Sequence, residues 1–589
     1  MKMSTFVPMN YLRDLLVLGF FISLFTGCDE PPEAIADNRV NDYALFDSSG
    51  ELHRLSRYND SKAIVLWVQG NGCPIVRNAV SDFNDIVNDY EDKGFTFFLL
   101  NSNTQDDSDE TSIEANKFDF SAPVLLDNIQ LVADALDVKI TSEAIVLHPT
   151  SREVIFRGPL NNRLDYGAQK NEPTETYLRD ALDAILQGKQ PVSKEKMTRG
   201  CTVTRLSTLE KGDTLTYTRD IAPILAEHCV MCHNPNGIGP WSMSDYETVR
   251  GWSSMMKQVL LTKRMPPWTV NSNNFTFKND IGIEDSLVRK IVSWIDQGSP
   301  RGTGKDTLSM IKPTSGDWEL GMPDRVISLK KESVPATGLI PYRYQEIDLE
   351  FDRDVWLKAI EIKPGNPNVV HHVLLSSAHE LQKSPISDRM ISPKVDNFIA
   401  VSTGKKQTMA YPEGTGIFIQ KGTKITAQLH YTPYGTATED ITQIGFYLLD
   451  EAPDVPFRSH NTHNTTFKIP AYAKDVKFVA EEKIDKDIKI YNLLPHMHYR
   501  GKDIKFSVIS PEGEKTTLVH VPDYNFNWQW IYELETPFVA KKGSTILVEA
   551  IFDNSFQNPL NPDPSKDLKF GPQSTDEMLY GMFNYTVED

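Results

Sequence analysis

"KAIVLWVQGNGCPIVRNAV", Lys62–Val80, decides the first fold assignment. Its opening, "KAIVLWVQ", is an apolar run of strand length and reads as a buried strand. After the glycines the period changes. "PIVRNAVSDFNDIVNDYEDKG", Pro74–Gly94, spaces its apolar residues as a helix does and stops on glycine. Cys73 therefore stands after a strand and at the start of a helix, where the helix N-terminus favours a thiolate. Working outward, "FTFFLLNSN", "PVLL", "EAIVLHP" and "EVIFRG" read as four further strands, and "ETYLRDALDAILQGK" as a closing amphipathic helix. Strand–helix–strand repetition over about residues 41–190 predicts an α/β layered domain.

The pattern then turns helical. "DIAPILAEHCVMCH", "SDYETVRGWSSMMKQVLLTK" and "GIEDSLVRKIVSWIDQG" fill residues 215–301, with 191–214 as a linker holding Cys201 and 302–318 as a second, glycine-bearing linker. From residue 319 short β runs dominate, among them "RYQEIDLEF", "WLKAIEIKP", "KITAQLHYT", "KIYNLLP", "DIKFSVI" and "STILVEAIFDN". Pro, Gly, Asn and Asp clusters punctuate them, as in sandwiches or jelly rolls. The length suits two sandwiches, 319–455 and 456–589. The fold class expected is multidomain: thioredoxin-like α/β, then all-α, then an all-β pair.

A chain of 589 residues suits three or four domains. Its formal net charge of −19 argues against nucleic acid as a partner. The first 28 residues carry sparse positive charge, an apolar run from Leu15 to Phe25, and small residues before Cys28. This reads as an export signal. "FTGC" resembles a bacterial lipobox, which implies cleavage before Cys28, lipidation of its thiol, and residues 29–40 as a tether. The expected location is the periplasmic side of an inner or outer membrane, or the cell surface. A plain secretory signal or an uncleaved anchor are the alternatives.

Only five cysteines occur, so this is no disulfide-dense scaffold. "CVMCH", Cys229–His233, is the C-x-x-C-H pattern of covalent haem attachment, with His233 as axial ligand. Residues 215–301 resemble a small mono-haem cytochrome c, and "MPP" at its usual ligand loop favours Met265 as the sixth ligand. A thioether opposite histidine raises the potential, as electron transfer needs. Met243, Met255 and Met256 compete, the last two fitting better as helix core.

The 13 histidines are unevenly used. In "LPHMHYRGK", His496 and His498 sit at i and i+2 and share a face if the strand continues. In "VVHHVLL", His371 and His372 would face opposite ways unless a bulge intervenes. His430 lies in "AQLHY". Imidazole with thioether suits copper that cycles between Cu(I) and Cu(II). Together "NVVHHVLL", "AQLHY", "HMHYRGK" and "STDEMLYGMFNY" resemble the copper type II, ascorbate-dependent monooxygenases, over about Tyr342–Tyr585. The resemblance implies one copper on His371, His372 and His430, which passes electrons. It implies a second, catalytic copper on His496, His498 and Met578, which binds O2, the two sites facing each other across a solvent cleft. Departures are visible. No cysteine follows Cys232, the arginine that peptide-amidating members place before H-x-H is Leu494, and their tyrosine after the methionine is Met582. A small or apolar substrate is therefore expected rather than a peptide, with an ascorbate-like reductant or a redox protein as donor.

The N-terminal domain resembles the thioredoxin/peroxiredoxin superfamily, especially its redoxin branch. C-x-x-C would need cysteine at Val76, and the expected cis-proline is Ser142. Cys201 lies outside that fold in a connecting stretch. It is a candidate to resolve oxidised Cys73, to form a structural disulfide with it, or to stand apart. The reading that joins these parts is an exported oxidoreductase, a dicopper monooxygenase fed through its own haem. Its alternative is a redox or copper-handling protein without hydroxylation.

Overall fold

The computed structural model describes residues 39–164, 170–206, 214–235, 237–271, 275–311, 318–377, 398–403 and 407–588. The export signal, Cys28 and most of the tether lie outside the described residues. Among those described, no helix is long and apolar enough to cross a membrane.

The quoted stretch folds as expected. Strand β1 (Ile64–Gln69) is buried along its whole length, because it runs through the middle of a sheet covered on both faces. With β2 (Thr96–Asn101), β3 (Val124–Leu126), β4 (Ala144–Leu147) and β5 (Val154–Gly158) it forms a sheet of order β3-β2-β1-β4-β5. The first three strands are parallel; β4 pairs antiparallel with β1, and β5 antiparallel with β4. Helix α1 (Pro74–Tyr90) covers one face, where Phe83 stacks on Trp67 at 4.6 Å between ring centroids. Helix α2 (Tyr177–Leu186) joins the same core through Leu178, Ala181 and Leu182.

Cys201 does not sit outside this domain. Its carbonyl accepts from Thr141 N (2.8 Å), Thr202 bridges to Ile140, and the thiol packs against the α1-side core. Gly200 permits the approach, since a Cβ there would lie 1.9 Å from Thr141 O. The connecting stretch is thus an added edge, held by backbone hydrogen bonds that residue patterning does not reveal.

Three helices follow: α3 (Ala222–His228), α4 (Tyr246–Leu261) and α5 (Asp285–Asp296). They enclose Tyr217, Leu225, Val249, Met256 and Trp294. Met256 is core, but Met255 is 46% exposed, because adjacent residues on a helix point about 100° apart. Leu261, Val288 and Val292 also pack on the second face of the α/β sheet with Leu66 and Val68.

The remainder is all β. Strands β6 (Arg343–Asp348), β7 (Val370–Ser376), β8 (Phe398–Thr403) and β9 (Lys424–Tyr431) make an antiparallel sheet of order β6-β9-β7-β8. Its inner residues meet those of a sheet centred on Val355–Lys363, burying Val373, Leu375, Ile425 and Ala427 against Ile360, Ile362 and Phe446. A second layered pair follows. Strands β10 (Arg458–Asn464), β11 (Ile488–His496), β12 (Tyr532–Ala540) and β13 (Leu579–Val587) run in the order β10-β13-β11-β12. They face a sheet built from 476–483, 501–509, 515–521 and 545–552, with Ile490, Leu493 and Phe583 against Ile504, Phe506 and Val548.

Gly581 opposes Pro495 in this ladder, one residue from His496. A Cβ at Gly581 would stand 2.3 Å from Val548 Cγ2 and 3.0 Å from the Phe506 ring. Gly581→Val should therefore overpack the layer behind the histidines. A loss of about 1–3 kcal/mol, read as a lower denaturant midpoint for the C-terminal β region, is the expected result.

Candidate metal centre and redox thiols

The ladder between β7 and β9 decides how two adjacent histidines reach one point. Val370 pairs with Tyr431 and His372 pairs with His430, so the register shifts and His371 is the extra residue of a bulge. The bulge turns His371 toward its neighbours. Nδ1 of His371 then lies 3.1 Å from Nδ1 of His372 and 3.2 Å from Nδ1 of His430. These three form a tight, largely buried cluster of potential ligand atoms. A neutral imidazole carries one proton, so His371 Nδ1 cannot donate to both partners. Two donors each ~2.0 Å from one ion sit about 3 Å apart, so the trio fits a cation.

His496 ends β11, and His498 lies beyond the strand, in the turn that follows. Strand pleating therefore does not align them. The turn does: Tyr524 Oη bonds both the N–H (3.1 Å) and the carbonyl (2.8 Å) of Met497. Glu577 accepts from His498 N (3.0 Å) and Arg500 N (2.7 Å). The two rings end 5.1 Å apart and nearly perpendicular.

Their protons can be assigned. Gln529 Nε2 donates to Phe526 O (3.0 Å), so its Oε1 is the acceptor for His496 Nδ1 at 2.6 Å. His498 Nδ1 faces the carbonyl of Asp576 at 3.2 Å. Both rings thus carry the proton on Nδ1 and present a bare Nε2, the arrangement that second-shell partners give to metal-binding histidine. His498 Nε2 is buried with no hydrogen-bond partner. Met578 immediately precedes β13, two residues before Tyr580, which opposes His496. Met578 and His496 line one cavity of about 70 Å³.

That cavity also reaches His372, Leu374, Phe398, Val401, Leu494 and Met582. Aromatic rings also stand beside both histidine groups. Tyr342 lies 4.9 Å from His430 and 6.3 Å from His498, and Phe526 lies 5.6 and 5.5 Å from the same two. Burial pulls His371 and His496 down to about 4. It pulls His372, His430 and His498 well below the ordinary value, with neighbouring imidazoles adding repulsion. All five rings are neutral at physiological pH, as ligands must be.

In the helical region, His233 is buried and its Nδ1 faces the Trp241 carbonyl at 3.0 Å, leaving Nε2 as acceptor. Cys229 caps α3, and Cys232 lies beyond the helix, one residue before His233. A Cβ on Gly239 would meet His233 Nδ1 at 2.7 Å, so the loop hugs the ring. This donor set fits covalent haem. Met265 lines a different cavity, with Phe46, Leu260 and Trp268, whose lining includes none of Cys229, Cys232 and His233. Met243 shares the helical core with Met256, and its N–H donates to the His233 carbonyl (2.8 Å).

The stretch after Met265 is fastened to the C-terminal β region. Trp530 Nε1 donates to Pro267 O (2.7 Å), Trp268 packs on Trp530 and Tyr532, and Asn271 N donates to His520 O (2.9 Å). A second acid–histidine cluster, Glu51, Asp503 and His520, lies nearby. Lys505 Nζ reaches Glu51 at 2.5 Å, so an ammonium already supplies the positive charge there.

Cys73 and Cys201 meet, with Sγ atoms 2.7 Å apart. Thr141 touches both residues: its Oγ1 accepts from Cys201 N (2.9 Å) and lies 3.1 Å from Cys73 Sγ. Burial pushes the Cys73 thiol up, but contacts from Cys201, Thr141 and the Val76 N–H outweigh it and leave the thiol below its ordinary value. Cys201 is pushed up to about 11 by burial and by Cys73.

Residues 36–156 match the AhpC/TSA family. They form a thioredoxin-like redoxin domain. No curated protein matches the chain. Among solved structures, a hypothetical protein from Sinorhizobium meliloti 1021 is 24% identical, covering 29% of this chain and 94% of its own, with a TM-score of 0.27. An uncharacterized conserved protein from Geobacillus kaustophilus is 26% identical over 29% and 92%, with a TM-score of 0.26. Peroxidoxin BcpB from Mycobacterium tuberculosis is 19% identical over 26% and 94%, with a TM-score of 0.20. The family match supports a redox role for the redoxin domain. Cys201 lies 45 residues past the matched segment, so the family pattern alone does not pair it with Cys73.

Sequence reading did not find Thr141, Tyr342, Gln529, Phe526 or Glu577 as contributors. Glu577 stood in the quoted "DEM", but only its methionine was read. Two outcomes follow. As pH falls, the unfolded chain takes up histidine protons from ~6.5, whereas folded His371 and His496 do so only near 4. Stability is therefore full above that window and lost as pH falls through it. Calorimetry of metal-stripped protein should show the decline, and His371→Gln should flatten part of it. Separately, Thr141→Val should raise the Cys73 pKa by about one unit, the worth of one hydrogen bond to a charged group, in an ultraviolet thiolate titration of the Cys201→Ser background.

Proposed function

We propose that the chain is a multicentre oxidoreductase in which the C-terminal β region holds two copper ions and hydroxylates a small apolar C–H substrate with O2. The observation that carries this reading is the convergence of three histidine Nδ1 atoms at 3.1 and 3.2 Å. His371, His372 and His430 would hold one ion; His496, His498 and Met578 would hold the other. Copper in such sites supplies one-electron chemistry that lets O2 react with closed-shell carbon.

The chain's own residues have definite tasks. Gln529 and the Asp576 carbonyl hold His496 and His498 in one tautomer, each with Nε2 bare. Leu494 and Met582, paired across β11 and β13, line the cavity that joins the two groups, where Leu374 and Val401 complete an apolar wall. This part of the wall accepts hydrocarbon, while Thr403, Gln428, His460 and Asn461 line the rest of the cavity. The apolar part, with Leu494 where peptide-amidating members carry arginine, supports a small apolar substrate.

Cys229, Cys232 and His233 would hold haem c, which supplies electron transfer. The bond from Trp530 to Pro267 sets the "MPP" turn one residue from Gln529, the residue that holds His496. That contact supports the helical region as the electron donor module. Export and lipid anchoring at Cys28 complete the proposal and rest on the sequence alone.

The small size of the cavity, about 70 Å³, favours a second reading, electron transfer between the two histidine groups without hydroxylation. Purified holoprotein should contain two copper ions and one haem per chain. His496→Ala should lose one copper EPR signal and keep the other, and His430→Ala should do the converse. Reductant with a panel of small hydrocarbons should give hydroxylated product. Oxygen uptake without product supports the second reading, and absence of copper after supplementation overturns both.

A further inference from the structure

The redoxin pair is inverted with respect to its helix. Cys73 caps α1, the position that activates a thiolate, yet only 4% of it is exposed. Cys201, on the added edge, is the more open of the two. We propose that Cys201, not Cys73, is the sulfur through which this domain exchanges electrons with partner thiols, Cys73 serving as the buried leaving group. The proposal rests on the reading that the two thiols cycle between dithiol and disulfide.

The step balances as thiol exchange. An incoming thiolate attacks Cys201 Sγ, a bond forms between the donor sulfur and Cys201, and the Cys201–Cys73 bond breaks with its electron pair leaving on Cys73 Sγ. A second thiolate of a dithiol donor then attacks the donor sulfur and releases Cys201. Two electrons have entered the domain, and the donor leaves as its disulfide. The partner class is therefore a small dithiol or a protein with paired cysteines.

Two features prepare Cys73 to leave. Thr141 Oγ1 accepts from Cys201 N at 2.9 Å, so its own proton is left for Cys73 Sγ at 3.1 Å. The first turn of α1, 17 residues long, offers its N–H groups and positive end to the same sulfur. Both contacts persist when Cys201 is bonded to the donor sulfur, and each favours the departing thiolate, which leaves faster as its pKa falls. Attack on Cys73 itself would require an incoming thiol to enter the α1-side core, where that sulfur packs with Val76 and Trp67.

Full-length protein, oxidised and then given one equivalent of glutathione, can be quenched with acid and mapped by peptide mass. Glutathione should sit on the Cys201 peptide, with Cys73 a free thiol. Glutathione on Cys73 overturns the proposal. If the oxidised protein shows no Cys73–Cys201 linkage, the pair reading fails first and the proposal with it. Thr141→Val should slow reduction of the linked pair by about three- to tenfold, from a leaving group weakened by one lost hydrogen bond. An unchanged rate removes the leaving-group role.

Discussion

Five imidazoles held out of water constrain the C-terminal half. An unpaired buried nitrogen costs about 1–3 kcal/mol, and His498 Nε2 and His371 Nε2 are both buried without a partner. Three Nδ1 atoms in contact add a repulsion that one shared proton cannot remove. The bulge in β7, the clamp of Tyr524 on Met497 and the carboxylate of Glu577 all act to keep this costly arrangement. A fold that holds neutral donors together at this cost is what the proposed copper ions would need. Glu577 shows the same economy. Burial raises it to about 8 although it accepts several backbone N–H groups, and the Arg500 beside it is itself buried.

How much of this was legible depends on what each residue leans on. Strand β1 and helix α1 carried their own signals, a long apolar run and a helical period, because each buries a whole face against a regular layer. The histidines were legible as donors, and the need for a bulge at His371 followed from pleating alone. The shape of the centre was not. His498 was placed by pleat on a strand that ends at His496, and a turn set by Tyr524 and Glu577 does the work instead. Those partners lie 27 and 79 residues away, beyond any local period. Met255 failed for the opposite reason: a run of two methionines has one inner and one outer member, and the period had to be phased against Val249 and Trp294 to know which.

The partition between the two histidine groups changes what the centre can do. Tyr342 comes from the start of β6's lead-in, and Phe526 from the loop between 521 and 532, yet each ring lies within 6.5 Å of histidines from both groups. Aromatic rings there lower the local dielectric and strengthen the charge interactions beside them. The cavity lined by His372, His496, Leu494 and Met582 touches both groups as well, and it is where the proposed reaction would take its substrate.

The same loop that carries Phe526 also carries Gln529 and Trp530, and this joins the modules. Trp530 is tied to Pro267 beyond α4, Gln529 to His496, and Phe526 packs on four of the five histidines. At its other end, Asp523 receives Arg54 of the redoxin domain at 2.5 Å. One segment of eight residues, Asp523–Trp530, therefore touches both N-terminal regions and carries side chains that orient the rings around His496. A packed segment of this kind has little freedom to deform smoothly, so the same contacts that seat the N-terminal regions also hold Gln529 and Phe526 in place. The redoxin thiols lie outside this segment; the contact is made by the face that carries Arg54 and Glu51.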